Sequence, residues 1–223
     1  MSSIPKKVVI VGSTGAVGFE LLQNIRQFWP DTSIYAPVRQ SVETFAHEEG
    51  VHRIQGDVSH PSTFDFSEID ALFMCVGTTQ KKTPDKEVYK AIDYGIPLAW
   101  SQWAKEKQVE KMVVISALGA NPKSSVFYNK LKGEMEVAVI QHGTKETYIV
   151  RPSLLMGERK EKRVGEELAI AFYKKLGMLI PKKYKGVTYE TVALAMMSLA
   201  QSGNTEHTIE SQDLAALAEK VQR

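Results

Sequence analysis

Short apolar runs rich in Val and Ile recur along the chain at Val8–Val11, Ser33–Val38, Val51–Gln55, Ala71–Val76, Met112–Ser116 and Thr147–Val150. A strand with one wet face alternates apolar and polar residues. A run without alternation is covered on both faces, as in a parallel sheet sandwiched between helices. The segments between the runs follow helical spacing instead. Val17, Leu21, Ile25 and Phe28 recur at three- and four-residue steps before the stop at Pro30. Leu131, Met135, Ala138, Val139 and His142 form a second stripe, closed by Gly143. This alternation predicts βαβ units and an α/β fold with a doubly wound parallel sheet. Right-handed crossovers bring the strands' C-terminal ends to one edge, where such sheets bind ligands.

From Gly157 the rhythm changes. Glu158–Arg163 is a run of charges of both signs, read as a solvated loop. Helices are expected over Val164–Leu176 and Tyr189–Gln201, a short strand over His207–Ser211, and a last helix over Asp213–Val221 with Asp213 near its N-cap. The chain has 223 residues, the length of one domain with at most a small appendage. Residues 1–223 are therefore read as a single domain, of which 157–223 contribute a small helical substrate lobe.

Gly12-Ser13-Thr14-Gly15-Ala16-Val17-Gly18 lies directly after the first strand and opens the first helix. Glycine at the first position permits the turn off the strand. At the second it lets backbone approach a pyrophosphate, and at the third it lets the helix pack closely. The helix N-terminus offers N–H groups and a positive dipole end to phosphate. The context is that of a Rossmann dinucleotide loop. The second strand discriminates between dinucleotides. An acid at its end bonds a ribose 2′-hydroxyl, but Ser33-Ile-Tyr-Ala-Pro-Val-Arg39 ends in a guanidinium, which matches a 2′-phosphate. NADP is the expected cofactor and NAD the less favoured one. Asp57 and Val58 close the third strand, with Asp57 placed to accept from an adenine amino group. Cys75, Val76, Gly77 and Thr78 close the fourth and would lie along the adenosine ribose.

Tyr128 and Lys132 are four residues apart, one turn from each other on one helix face. An ammonium beside a phenol favours the phenolate, so the pair can exchange a proton with a carbonyl or alcohol oxygen. Ser116 ends the preceding strand and offers a hydroxyl to the same oxygen.

Composition narrows the partners. Lys plus Arg number 28 and Asp plus Glu 26, a formal charge of +2, which argues against a nucleic-acid surface. Cys75 is the single cysteine, and the five histidines show no i, i+4 pair, so no metal site is expected. No run approaches the ~20 apolar residues of a membrane span, and four apolar residues before Gly12 are too few for a signal-peptide core. The expectation is a cytosolic chain that meets a small-molecule substrate and no membrane. The outer helix faces carry no signal for the number of subunits.

Together these segments resemble the short-chain dehydrogenase/reductase superfamily in its atypical NAD(P)-binding branch. They look most like the group of Tat-interacting-protein and semialdehyde-dehydrogenase-like oxidoreductases. The likeness spans about residues 6–200 and rests, beyond the glycine loop, on Cys75–Thr79, Ile115–Ala120, Ser124–Tyr128, Lys132–Glu136 and Arg151–Leu155. It implies Tyr128 as acid/base, Lys132 holding the nicotinamide ribose, and Ser116 orienting the substrate oxygen. It also implies that Arg151, Pro152, Ser153 and Leu154 line the nicotinamide, largely through backbone. Ala117 stands where relatives carry a second serine, which keeps Ser124 and Ser125 as alternative hydroxyls. Asp93 stands near the place of an assisting Asn, although its spacing reads more simply as helix surface. The reading is an NADP-dependent oxidoreductase. Its alternative is an NADP(H)-sensing regulatory protein with little turnover. A sugar-nucleotide epimerase is less favoured, because about 65 residues beyond Gly157 make a small lobe.

Overall fold

The computed structural model describes residues 3–39, 49–157 and 181–221. Seven parallel strands form the central sheet: β1 (Lys7–Val11), β2 (Ser33–Val38), β3 (Val51–Gln55), β4 (Ala71–Met74), β5 (Lys111–Ile115), β6 (Glu146–Arg151) and, at the far edge, β9 (Thr208–Glu210). Their order is β3-β2-β1-β4-β5-β6-β9. The helices are α1 (Ala16–Phe28), α2 (Lys86–Lys90), α3 (Ile96–Glu106), α4 (Phe127–His142), α5 (Tyr189–Ser202) and α6 (Leu214–Ala218). A π-turn, Ala91–Gly95, joins α2 to α3. Two short strands, β7 (Leu155–Met156) and β8 (Val187–Thr188), pair in parallel beside the main sheet. The expected α/β doubly wound sheet is the observed one.

Each apolar run divides its residues between two cores, because successive side chains leave a strand on opposite faces. Val8, Ile10, Phe73, Val113 and Val150 pack with α1, α5 and α6. Val9, Val11, Met74, Val114 and Ile149 pack with α3 and α4. On the second face Trp100 is fully buried, and its indole N–H donates to the Val58 carbonyl at 2.8 Å. β3 departs from the expectation of burial on both faces: it has one neighbour in the sheet, and its residues are only half-buried or exposed.

The C-terminal part also differs from its reading. α5 packs against α1 and α6, and β9 adds the seventh strand beside β6. Residues from Tyr189 onward thus complete the central fold. The last helix is shorter than expected: a 3-10 turn at Ser211–Asp213 precedes α6, and the Asp213 side chain makes no capping bond. The charge run and the helix expected over Val164–Leu176 lie outside the described residues.

Gly18 faces the carbonyl of Gly12, and a Cβ there would stand 2.2 Å from that oxygen. Helix propensity favours alanine over glycine by about 1 kcal/mol, but a contact this close displaces backbone, and overpacking costs about 1–3 kcal/mol or more. Gly18→Ala should therefore lower the unfolding midpoint in a thermal melt. Gly95→Ala should leave it unchanged or raise it, since the added Cβ comes no nearer than 3.9 Å to the Lys90 carbonyl oxygen.

Candidate functional site

The β1–α1 loop runs against the end of β4. Gly12 has φ +90°, and a Cβ on it would lie 2.8 Å from the Cys75 carbonyl carbon and oxygen. The Gly15 N–H closes the turn onto the Gly12 carbonyl at 3.0 Å. Gly15 also precedes α1, and it has no side chain to cap the helix; the first turn holds no acidic residue. The helix start is thereby left open to an anion. Ser13 and Val17 are buried, Ala16 is half-buried, and Thr14 and Gly15 are exposed. Burial pushes the Cys75 thiol up to about 12, so it stays neutral at physiological pH and serves as packing. Val76 packs on the α3 side of the sheet.

Arg39 follows β2 and is exposed, at the sheet edge shared with the glycine loop. Asp57 is engaged within its own turn. One carboxylate oxygen accepts from the Ser59 N–H at 2.9 Å and from its hydroxyl at 2.6 Å; the other meets the His60 ring at 2.9 Å. These hydrogen bonds, those of Ser59 first, hold the Asp57 carboxyl down at about 2. Asp57, expected as an adenine acceptor, also forms a turn in the structure, with its side chain 60% exposed.

Ser116 follows β5. Its N–H donates to the Val150 carbonyl at 2.7 Å, while its buried hydroxyl has no hydrogen-bond partner. An orphaned buried hydroxyl costs stability unless something fills its site, so it fits a polar ligand atom. Ser124 accepts from the Val126 N–H at 3.1 Å and is spent on the entry to α4. Tyr128, in the first turn of α4, is 39% exposed, whereas Lys132 is 4% exposed. The Lys132 ammonium lies 3.0 Å from Asp93 Oδ1, and Asp93 Oδ2 accepts from the Thr78 N–H at 2.8 Å. Asp93 is fully buried, which corrects its reading as helix surface.

Thr78, Thr79, Gln80, Tyr89, Phe127 and Tyr128 line a cleft of about 540 Å³. Tyr89 and Phe127 meet edge to face, with centroids 5.8 Å apart, and the Tyr89 hydroxyl donates to the Thr78 carbonyl at 3.2 Å. Apolar body with neutral polar groups is the usual chemistry of a small-molecule cleft. The aromatic pair was missed from sequence, although Phe127 stands beside the selected tyrosine.

The Arg151–Leu154 stretch is fixed from several sides. Arg151 Nε donates to Glu136 Oε1 at 2.9 Å, its Nη2 pairs with Glu136 Oε2, and its Nη1 with Glu210 at 2.9 Å. These partners, Glu136 first, raise the guanidinium above its ordinary range. The Pro152 carbonyl accepts from the Leu118 N–H at 2.9 Å. The Ser153 N–H donates to Ser211 Oγ at 3.0 Å, and its hydroxyl donates to the Lys185 carbonyl. Leu154 is exposed, and its carbonyl accepts from the Val187 N–H. The Arg151 and Ser153 side chains are therefore spent on bracing. Among the described residues no group of three or more His, Cys, Asp or Glu is placed to hold a metal.

No family model matches the chain. It is 31% identical over 210 residues to the mitochondrial protein FMP52 of Debaryomyces hansenii, covering 88% of each chain. It is 32% identical over 168 residues to the mitochondrial protein FMP52 of Saccharomyces cerevisiae, covering 73% of each. Among solved structures, the thiolation-reductase di-domain of an archaeal non-ribosomal peptide synthetase superposes with TM-score 0.73 at 17% identity, over 94% of this chain and 56% of that one. ADP-L-glycero-D-manno-heptose-6-epimerase of Helicobacter pylori gives 0.70 at 16%, over 98% and 83%. A putative NAD-dependent epimerase/dehydratase of Bacillus halodurans gives 0.68 at 16%, over 96% and 99%. These structures share the Rossmann fold. The relatives are named as mitochondrial, which overturns the cytosolic placement read from the sequence.

The Asp57 turn has a pH signature. A carboxylate held below its free value adds stability above that free value and loses it as pH falls through the folded one. Followed by NMR, the Asp57 carboxyl should titrate near 2, below the ordinary aspartate value of about 3.9, and Ser59→Ala should move it upward.

Proposed function

The chain belongs to the FMP52 family, and on that premise we propose that it is an NADP-dependent oxidoreductase of the atypical short-chain dehydrogenase type. One observation carries the reading. Tyr128 lines a cleft, and Lys132, one turn along the same helix, is buried at the sheet edge where the glycine loop opens. The finer likeness to semialdehyde-dehydrogenase-like oxidoreductases supports the same chemistry.

Gly12, Gly15 and the open start of α1 would hold the pyrophosphate, Arg39 a 2′-phosphate, and Lys132 the nicotinamide ribose. When bound, the nicotinamide supplies or accepts the hydride. The protein handles the proton. In the reducing direction Tyr128 gives its phenolic proton to the substrate oxygen as the carbonyl carbon becomes an alcohol carbon. The Lys132 charge favours the phenolate left behind, and the Ser116 hydroxyl orients the same oxygen. Like its relatives, the chain is proposed to work in mitochondria.

Purified protein screened with aldehydes and ketones should oxidise NADPH, and Tyr128→Phe should cut turnover by about 10²-fold or more while NADPH binding is retained. Tight NADPH binding with no turnover of any carbonyl would favour the sensing protein. Arg39→Ala should erode the preference for NADPH over NADH by about tenfold in a binding titration. Equal affinities in the unaltered protein would overturn the NADP assignment.

A further inference from the structure

Asp93 is the one fully buried carboxylate among the described residues, and it is delivered by an unusual piece of backbone. The helical run from Lys86 to Glu106 is interrupted by the π-turn Ala91–Gly95, with Asp93 at its centre. A π-turn adds one residue to a helical turn and re-aims the side chains around it; such turns are frequent at functional sites. Here Asp93 reaches Lys132 Nζ at 3.0 Å and the Thr78 N–H at 2.8 Å. Gly77 runs over the pair: a Cβ on it would lie 3.5 Å from Asp93 Oδ1 and 3.9 Å from Lys132 Nζ.

We infer that Asp93 is a positioning residue of the Tyr128 site, the counter-ion that aims the Lys132 ammonium and ties the cleft loop at Thr78 to α4. The inference rests on the oxidoreductase reading and adds to it a residue that works through another. Packing alone does not require this pair, because an apolar pair of similar volume is often as stable as a buried salt bridge. A lysine whose charge is needed beside a phenol is different. Left alone it would be a desolvated cation; the Asp93 carboxylate 3.0 Å away offsets that cost through charge and not through a hydrogen bond. The pair is close to neutral, so Asp93 also weakens the pull of Lys132 on the Tyr128 proton.

The other ionisable groups around the pair are few. Tyr89 on α2 donates to the Thr78 carbonyl, and Lys86 lies over the Phe127 ring. Lys90 lies over Tyr94 of the π-turn. Glu136, one turn further along α4, is neutralised by Arg151, and Cys75 at the end of β4 is a neutral thiol. None of these changes when Asp93 becomes Asn, which keeps the shape and the acceptor for Thr78 but removes the charge.

The test titrates Tyr128 directly. The tyrosinate absorbance of the cofactor-free protein is compared with that of its Tyr128→Phe counterpart, so that the difference reports Tyr128 alone. The same difference is taken in the Asp93→Asn background. The Tyr128 step is expected at a pH lower by about one unit in Asp93→Asn, and the acid limb of the turnover profile is expected to move with it. An unchanged or upward-moving step overturns the inference, whatever the activity. A downward step without turnover in either protein keeps the role of Asp93 and counts against the oxidoreductase reading instead. If Asp93→Asn does not fold, the double variant Asp93→Asn/Lys132→Gln, with no charge left buried alone, is expected to fold and to melt above Lys132→Gln; a double variant that also fails to fold, or that melts no higher, overturns the pairing.

Discussion

Two stretches of backbone touch where β1 leaves the sheet and β4 ends, at Gly12 and Cys75. No side chain fits between them, and much of the molecule is arranged around that contact. The chain runs outward from β1 through β2 to β3, then crosses back to place β4 on the other side of β1. A crevice opens where the order reverses, and glycine keeps its floor free of side chains. Gly18 then allows α1 to sit against the same loop, so that strand, turn and helix are set by one close approach rather than by a cap.

Helix α4 is the second fixed body. Tyr128, Lys132 and Glu136 follow each other at four-residue steps along one stripe. Asp93 holds the middle one from the α2–α3 side, and Arg151 holds the last from the β6 side. Arg151 also bonds Glu210 of β9, so the helix that carries Tyr128 is locked to both the loop after β4 and the far edge of the sheet. Charge does this with more directional control than the apolar residues Met135 and Val139 on the same buried face, which only press α4 against Met112 and Val114. The fold uses its costliest side chains where alignment matters most.

Much of this was legible in the sequence. Apolar runs without alternation marked six strands of the sheet, and their true ends lie within two residues of the runs, because burial on both faces leaves little freedom of composition. The glycine loop was legible because each glycine answers to a contact. β3 was over-read: Val51 and Ile54 gave it an apolar look, but an edge strand is covered less. Asp93 was under-read, since a helical wheel drawn through Ala91–Gly95 assumes 3.6 residues per turn and a π-turn breaks that count. The helix Tyr189–Ser202 was recognised as a helix but assigned to a lobe. Its apolar face is equally consistent with a sheet neighbour, and only the pairing of β9 with β6 decides between them. Asp57 shows the reverse limit: an acid at a strand end has the right place for a ligand, while Ser59 and His60 two and three residues later are equally good partners.

The contact between α1 and α5 has a consequence in time. Leu21, Leu22 and Ile25 share a core with Val192, Met196 and Leu199, so α1 is covered by α5, which follows it far along the chain. At about 5–20 residues per second, a ribosome needs on the order of ten seconds or more to extend the chain from one to the other. Throughout that interval β1, β2 and α1 are synthesised but cannot close, and their apolar face must be kept from other chains. Sequence separation on this scale also slows spontaneous folding. The core of α1 thus closes only when α5 is in place, which ties the folding of the glycine loop to a helix on the far side of the sequence.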